Sequence, residues 1–364
     1  MISRSVRAVK TCLDFGSKAW FESAPLVAYV SGFLGKQNLG DEALQQAAPL
    51  IFDQVRFLHY DSSRTLRILL RKFPRIKCGV LAGGTLINRI PAWWETASEF
   101  QAMSQRLYIL GTGVAHPSFW NGRKGYVNQM AQWKNLLEKC SFVGVRGPLS
   151  AEVLREAGLS AVEVVGDPVL TFADNEVTRD YVPNSIGLNI GQAGGGFLWG
   201  DQDEILRQFI RLAKIAREAK WRVRWLVVWP PDLDLTRKAA QESGTADDIV
   251  ENYTEPRRYL DEVRPLSVFV GMKLHATILA TCTYVPSIML EYQPKCRDYM
   301  QSIGEEAHNI RTDQFKADTV WELAKALNAK RNSFALKLHE NVHGLRQFQQ
   351  AKAQGIMEEM LRLG

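Results

Sequence analysis

Short apolar runs rich in β-branched and aromatic residues alternate along the chain with stretches whose apolar positions recur every three to four residues. The first half has five such runs, at 26–30, 77–81, 107–110, 141–145 and 162–165. The second half has four, at 186–190, 223–229, 266–270 and 286–290. Because parallel strands need helical crossovers, this alternation predicts α/β architecture with parallel sheets. We expect two Rossmann-like α/β lobes that face each other, with ligands beyond the carboxyl ends of the strands.

A polar, Asp-rich stretch interrupts the alternation, and we place a domain linker over residues 173–184. The expected domains are one Rossmann-like lobe at 26–174 and a second at 184–314. An apolar period of 3.6 residues around Trp321 predicts a helical tail over 315–364.

The first 25 residues combine apolar and basic side chains without the compact apolar core of a signal peptide. We expect a leader helix over 1–25 that packs on the first lobe. The same pattern also suits a short amphipathic helix at an anionic membrane surface. Elsewhere, the longest apolar stretch is interrupted by Lys273 and His275, so no membrane-spanning segment is predicted.

Composition narrows the function classes. The 364 residues are 46% hydrophobic and 23% charged, which is typical of a folded globular protein. Forty-five Lys+Arg against 39 Asp+Glu leave a net charge of +6, too mild for a nucleic-acid-binding signature but compatible with anionic ligands. Five scattered cysteines without CxxC spacing favour reduced thiols in a cytoplasmic protein over a disulfide framework or a zinc site.

Glycine-rich turns follow the first three predicted strands. The first turn, at residues 32–42, contains Gly35, Asn38 and Asp41. Glycine lets backbone N–H groups approach an anion, and the following helix adds positive potential at its N-terminus. The turn matches neither GxGxxG nor a P-loop, however, and helix capping explains Asn38 and Asp41 equally well.

The next two turns end in glycine pairs, Gly83-Gly84 and Gly111-Thr-Gly113. Either turn allows a ligand close to the backbone, although ordinary turn chemistry gives the same pattern. His116 follows the third turn, and a loop histidine at that place either contacts a ligand or is simply solvated.

Basic side chains recur directly after predicted strands. Arg146 precedes a helix start and suits a carboxylate or phosphate, with an ion pair to a carboxylate such as Glu152 as the alternative. Lys273 and His275 open a helix in an apolar setting, where a lone histidine is more often a core residue. Together with Lys295, which follows a later strand, these cations would surround a strongly anionic substrate.

Metal-ligand patterns are weak. The chain has no HExxH and no two histidines at ligand spacing. Asp232 and Asp234 resemble the acidic pair of metal-dependent glycosyltransferases, but they follow two prolines on a predicted surface turn. We therefore expect a metal-independent reaction.

Seven motifs in order resemble the polysaccharide pyruvyltransferase family over residues 26–304. They are GxxGxxNLGDEA from Gly32, GG[ST]L from Gly83, G[TQ]G from Gly111, VRGPLSAEVLREAG, VxxVGDPVL, GMKLHATILA and PSIMLEYQPK. The resemblance implies a glycosyltransferase-B-like fold and transfer of the pyruvyl group of phosphoenolpyruvate onto a sugar. We expect the lobe at 26–174 on the acceptor side and the lobe at 184–314 on the phosphoenolpyruvate side. The expected product is a cyclic ketal on an exopolysaccharide, capsule or cell-wall glycan precursor, with release of phosphate.

The resemblance also implies three essential residues, which correspond to Arg146, His275 and Lys295. Lys273 stands where many members of the family have arginine, so the charge is kept and the bidentate fork is lost. We expect Arg146 to clamp an anionic group, Lys295 to neutralise the departing phosphate and His275 to act as general acid/base.

Other residues are expected to contact the substrates: Gly35, Asn38, Asp41, Gly83, Gly84, Gly113, His116, Lys273 and Glu291. Asp41 or Glu291 would orient the sugar hydroxyls, and His116 would contact the acceptor. No cofactor is expected beyond phosphoenolpyruvate as donor substrate. The expected partners are a glycan or lipid-linked acceptor, without nucleic acid, for a cytoplasmic protein in peripheral contact with the membrane's inner face.

Two alternatives remain at this stage. A metal-independent nucleotide-sugar glycosyltransferase would share the two-lobed fold, because fold alone does not fix chemistry. In that reaction the cations would bind the diphosphate of the nucleotide sugar, and the Glu291 carboxylate would bind the ribose. A non-catalytic glycan-binding protein of the same fold is the third reading.

Overall fold

The apolar runs form the strands of two parallel sheets. The computed structural model describes residues 26–32, 35–59, 76–104 and 106–362, so the predicted leader helix 1–25 lies outside the described residues. Two compact units are formed. Leu44–Pro168, with the described parts of Met1–Leu34 and Phe348–Gly364, makes the first unit; Gly35–Ala43 and Val169–Gln347 make the second.

The first unit contains a seven-stranded sheet in which every pairing is parallel. The strands are β1 (Leu26–Val30), β2 (Arg56–His59), β3 (Ile76–Ala82), β4 (Thr85–Ile87), β5 (Arg106–Val114), β6 (Phe142–Val145) and β7 (Glu163–Val164). Their order is β2-β1-β3-β5-β6-β7, with β4 beside β5. The sequence pattern predicts five of these strands; β2 and β4 each contain only two consecutive apolar residues, too short a run to predict a strand.

Helices cover this sheet and continue the chain between its strands. They are α1 (Leu39–Ile51), α2 (Pro91–Met103), α3 (Pro117–Trp120), α4 (Met130–Leu137) and α5 (Pro148–Glu156). Trp93 and Phe100 of α2 and Trp133 of α4 are buried in one apolar cluster with residues of β3 and β5. Pro148 begins α5, as expected of a residue whose fixed φ suits the first helical turn.

The second unit contains a six-stranded parallel sheet of order β10-β9-β8-β11-β12-β13. Its strands are β8 (Ser185–Asn189), β9 (Arg222–Val227), β10 (Ile249–Glu251), β11 (Val268–Gly271), β12 (Ser287–Glu291) and β13 (Asn309–Arg311). Every residue of β8, β11 and β12 is buried. Such strands have both faces covered, which explains their continuous apolar sequences.

Seven helices follow in the chain: α6 (Gln202–Glu218), α7 (Leu233–Ser243), α8 (Pro256–Val263), α9 (Leu274–Cys282), α10 (Pro294–Ser302), α11 (Ala317–Ala329) and α12 (Arg331–Arg362). The last two form the predicted helical tail. Two parallel α/β sheets followed by these helices confirm the predicted fold class. Of the helices that the structure describes, none combines the length and apolar character that a membrane crossing requires.

The stretch 173–184, where we expected a linker, belongs to the second unit. The Asp174 carboxylate lies 3.0 Å from Nε of Arg264, and the Asp174 N–H donates to the Cys282 carbonyl at 2.9 Å. Further along, the Val182 N–H donates to the Pro265 carbonyl at 2.8 Å. These bonds hold a polar segment against the second sheet's helices, although its composition resembles that of a linker.

Candidate active site

In the first unit, three of the predicted turns meet at the carboxyl ends of β3, β5 and β6. The Gly84 carbonyl accepts the Gly113 N–H at 2.7 Å and Nη1 of Arg146 at 3.3 Å. Arg146 also donates through Nη2 to the Thr85 hydroxyl at 3.3 Å. A Cβ at Gly113 would lie 2.1 Å from Nη2 of Arg146. Glycine at 113 therefore makes room for the guanidinium, and the structure brings Gly84, Gly113 and Arg146 together.

Arg146 is fully buried and pairs with a buried carboxylate. Nη1 of Arg146 lies 3.8 Å from Oδ2 of Asp167, and both side chains have no exposed area. Glu152, the carboxylate that the sequence offered as a partner, is exposed instead. The expected guanidinium open to a substrate is thus a buried group that ties the turn after β3 to the turn after β7. A substrate contact by Arg146 stays a prediction.

Gly111 and Gly113, which we expected in a turn, lie within β5, and this strand touches the turn after β7 through glycine. Gly111 has a φ of 66°, and a Cβ at this position would lie 2.4 Å from the Gly166 carbonyl oxygen. At the second turn, the Gly83 N–H donates to the Leu110 carbonyl at 3.0 Å. These close approaches fix the turn backbones against one another.

His116 is half-buried at the N-terminus of α3. Its Nδ1 accepts the Ser118 N–H at 3.3 Å and lies 2.7 Å from the Ser118 hydroxyl. The imidazole therefore caps a helix, and its expected contact with the acceptor sugar stays a prediction.

The turn at residues 35–43 belongs to the second unit. Oδ1 of Asn38 accepts the Gly40 N–H at 3.0 Å in the first turn of α1, which supports the capping interpretation. The Gly35 N–H donates to Oε1 of Glu42 at 3.2 Å. Asp41 is half-buried in the same turn. Two of the polar groups that the sequence offered for anion binding thus have partners inside the turn.

His275 is the second residue of α9, directly beyond β11. Its imidazole packs against Gly40: a Cβ at Gly40 would lie 2.2 Å from Nδ1 and 2.6 Å from Cγ of His275. Two motifs far apart in sequence therefore meet in the second unit. Gly40 leaves space that any larger residue would take from the imidazole.

Lys273 lies just before α9, and its ammonium and its backbone N–H both have polar partners. Its Nζ donates to the Gln192 carbonyl at 2.7 Å and lies 3.2 Å from Oδ2 of Asp232. Its backbone N–H donates to Oδ1 of Asn189 at 2.9 Å. The ammonium also lies 4.5 Å from the ring centroid of Trp229, within cation–π range.

Asp232 corrects a prediction. We expected it on a surface turn, but the 3-10 turn Pro230–Asp232 buries its side chain completely. Burial raises the pKa of Asp232, against the opposing effect of Lys273. Burial lowers the pKa of Lys273, and the charge of Asp232 opposes that shift. The two groups therefore stabilise each other's charged forms.

Glu291 and Lys295 follow β12. The Glu291 carboxylate is buried and accepts from three donors: Arg297 at 3.0 Å, Asn309 at 2.6 Å and the Trp199 indole at 3.4 Å. Its expected role toward sugar hydroxyls stays a prediction, because these donors already occupy both oxygens. Lys295, the second residue of α10, has its Nζ 4.7 Å from the ring centroid of Tyr292.

The second unit thus gathers cations at one edge of its sheet. Strands β11 and β12 are neighbours and parallel, so Lys273, His275 and Lys295 follow carboxyl ends that meet at the same edge. Helices α9 and α10 begin there, and helix N-termini favour anions. This arrangement can bind an anionic group and offer an imidazole for proton transfer. Within the described ranges, no three His, Cys, Asp or Glu side chains are grouped to hold a metal ion.

A family model described as polysaccharide pyruvyl transferase matches residues 38–294. The chain belongs to this family. The match begins within the turn at 35–43, includes Arg146, Lys273 and His275, and ends one residue before Lys295, and it confirms the family that the ordered motifs resemble. No curated protein matches the chain at a significant level.

Solved structures of similar fold include a UDP-GlcNAc 2-epimerase from Neisseria meningitidis bound to UDP-GlcNAc, with TM-score 0.54, 9% identity and coverage of 92% of this chain and 100% of that one. The MnaA–UDP complex of S. aureus has TM-score 0.59 and 11% identity, covering 93% and 98%. A glycosyltransferase from Rickettsia africae has TM-score 0.56 and 9% identity, covering 93% and 99%. These likenesses confirm the glycosyltransferase-B-like fold.

The buried Arg146–Asp167 pair makes a direct prediction. Asp167→Asn leaves a fully buried guanidinium without its carboxylate, and we expect the free energy of unfolding to fall by about 3 kcal/mol. Urea denaturation followed by tryptophan fluorescence measures the loss. Glu152→Gln is the matched control, since an exposed carboxylate on α5 contributes within about 0.5 kcal/mol. Equal effects of the two substitutions would contradict the assigned pairing.

Proposed function

We propose that the protein transfers the pyruvyl group of phosphoenolpyruvate onto two hydroxyls of a sugar in a bacterial exopolysaccharide, capsule or cell-wall glycan precursor. The product is a cyclic ketal, and inorganic phosphate is released. The family match supports the reaction class. The acceptor, free or lipid-linked, is a glycan.

The observation that carries the proposal is the group of three cationic or protonatable side chains beyond β11 and β12. Lys273, His275 and Lys295 lie at or beside the N-termini of α9 and α10. A phosphate monoester with one carboxylate carries about three negative charges near neutral pH. The negative charge of such a donor is opposite to the positive charge of the side chains and of the helix N-termini, so the two attract each other.

The residues have distinct roles in this proposal. His275 delivers the proton that converts the methylene carbon of the donor to a methyl group, which leaves an electron-poor centre at C2. One sugar hydroxyl adds to C2, and its proton returns to the imidazole. The C2–O bond to phosphate then breaks, a second hydroxyl closes the ketal, and the proton of that hydroxyl leaves with the phosphate. Lys273 and Lys295 neutralise the charge on the departing phosphate.

In this scheme Arg146 positions the turns of the first unit, and its contact with an anionic group of the substrate stays a prediction. Its guanidinium is fully buried, donates to Gly84 and Thr85, and lies 3.8 Å from the Asp167 carboxylate. These bonds favour a guanidinium that fixes the turns after β3 and β7.

A second candidate is transfer from a nucleotide sugar. The similarity to the Rickettsia africae glycosyltransferase favours it, although at 9% identity that similarity extends to the fold alone. The family match favours pyruvyl transfer. The two reactions are distinguished by which donor, phosphoenolpyruvate or a UDP-sugar, the protein consumes.

The deciding experiment offers phosphoenolpyruvate or UDP-sugars together with a panel of free and lipid-linked glycosides. We expect acceptor-dependent phosphate release and a product that carries ketal-linked pyruvate by mass spectrometry. His275→Ala should lower turnover by about 100-fold or more, because it removes the proton-transfer group. UDP release without consumption of phosphoenolpyruvate would overturn the proposal, and near-normal turnover of His275→Ala would remove the histidine from it.

Gly40→Ala tests the placement of the imidazole without touching it chemically. The added methyl group would occupy the position 2.2 Å from Nδ1 of His275, so the ring must move. We expect kcat to fall by about 10- to 100-fold, since displacement by an ångström has effects of that size. The new Cβ would also lie 2.8 Å from Cβ of His275 at a buried position, so we expect overpacking to lower the free energy of unfolding by about 1–3 kcal/mol, and turnover is compared well below the melting temperature.

Gly344→Ala on α12 is the control, because a Cβ there meets nothing within 4 Å. Its turnover should equal that of the unsubstituted protein. Full activity in Gly40→Ala would show that the observed position of the imidazole is not required.

A further inference from the structure

Asp232, Gln192 and Lys273 form a closed set of contacts beyond β8, β9 and β11. Oδ1 of Asp232 accepts the Gln192 N–H at 2.7 Å, and the Gln192 carbonyl accepts from Nζ of Lys273 at 2.7 Å. Oδ2 of Asp232 lies 3.2 Å from the same ammonium. In the sequence, Asp232 is only one half of a weak metal-ligand pattern, and its contact with Lys273 becomes visible only in the folded structure.

These contacts restrict the side chain of Lys273, which would otherwise be flexible. A lysine has four rotatable methylene groups and is normally free to move its charge. Here Gly191 lies against its stem: a Cβ at Gly191 would be 2.6 Å from Cδ of Lys273 and 2.9 Å from Oδ2 of Asp232. Trp229 covers the ammonium from another side. The side chain is consequently held in one position, with 13% of its surface exposed.

The ammonium keeps donor capacity for a ligand. It has three N–H groups, and the contacts within the described residues use the Gln192 carbonyl and the Asp232 carboxylate. One N–H group therefore remains for an external acceptor. Because the stem is already fixed, a ligand that binds this group meets little of the usual entropy loss of a lysine side chain.

We propose that Asp232 is a positioning residue for the pyruvyl transfer: it holds the ammonium of Lys273 in place and charged, so that Lys273 binds an anionic group of phosphoenolpyruvate. This inference rests on the proposed function. Asp232 itself touches no substrate.

The electrostatics of the pair agree with this geometry. The charged groups that act on Lys273 are Asp232, from the 3-10 turn before α7, and Asp41, from the first turn of α1. Burial lowers the pKa of Lys273, and both carboxylates oppose that fall. Without the Asp232 carboxylate, the pKa of Lys273 drops further, and the ammonium loses its proton at a lower pH. Affinity for a trianionic donor should then decline as the pH rises.

The experiment compares Asp232→Asn with Asp234→Asn, using the full chain and steady-state phosphate release at several pH values. Asp234 is exposed two residues further along the same motif, so it is a matched control. We expect Asp232→Asn to raise KM for phosphoenolpyruvate by about tenfold or more, with a smaller change in kcat. The alkaline rise in KM should begin at lower pH in this variant. Asp234→Asn should stay within about twofold of the unsubstituted protein.

Lys273→Arg is an independent test, since a guanidinium stays protonated without a neighbouring carboxylate. In the Asp232→Asn background it should remove the alkaline rise in KM. Lys273→Arg alone should remove that rise in the otherwise unsubstituted protein, which tests the inference even if Asp232→Asn folds poorly.

Several results would overturn the inference: equal effects of the two aspartate substitutions, a loss in kcat alone, or an alkaline rise in KM that survives in Lys273→Arg. Losses of activity in both aspartate variants that divalent cations restore would instead indicate a metal site. Failure of the unsubstituted protein to release phosphate from phosphoenolpyruvate with any acceptor would refute the proposed function itself. The two failures are therefore distinguishable.

Discussion

A positive charge buried at the end of a parallel strand needs a carboxylate beside it, and both units of this protein meet that requirement in the same way. In the first unit the guanidinium of Arg146 pairs with Asp167, and in the second the ammonium of Lys273 pairs with Asp232. Removing a charged group from water costs several kcal/mol, which the partner offsets only in good geometry. Both carboxylates follow strands of the same sheet as their cations, so each sheet forms its pair beyond the carboxyl ends of its strands.

The two pairs differ in how far the cation remains accessible to a ligand. Arg146 donates to the Gly84 carbonyl and the Thr85 hydroxyl and has no exposed surface, which suits a group that organises turns. Lys273 retains partial exposure and a donor that its contacts do not use. The same electrostatic requirement thus produces a fully buried cation in one unit and a partly exposed cation in the other.

Much of the fold was predictable, because strands covered on both faces read as continuous apolar runs and their helices carry a separate period. The exceptions are instructive. Strand β4 contains only two consecutive apolar residues, too short a run to predict a strand. The polar stretch at 173–184 has the composition of a linker, and the sequence does not reveal the ion pair between Asp174 and Arg264. The predicted leader helix at 1–25 lies outside the described residues and stays a prediction.

The candidate site was predictable as a set of residues but not as a set of contacts. The motifs pointed to Arg146, Lys273, His275 and Lys295, whereas their partners depend on which turns the tertiary fold brings together. Asp232 follows two prolines, a pattern typical of a surface turn, and only the complete sheet shows that it is buried. The glycines were also interpreted too narrowly. Gly113 was expected to let a ligand approach the backbone, and Gly40 was not singled out; in the structure they make room for Arg146 and His275.

The proposed function requires that phosphoenolpyruvate binds at the edge of the second sheet beyond β11 and β12. A crystal structure of the protein with phosphoenolpyruvate, or with an unreactive analogue that keeps both anionic groups, shows whether it binds there. We expect phosphate or carboxylate oxygens within hydrogen-bond distance of Nζ of Lys273 and Nζ of Lys295, with the methylene carbon beside the His275 ring. A donor bound away from these three residues, or a nucleotide diphosphate bound there while phosphoenolpyruvate does not bind, would contradict it.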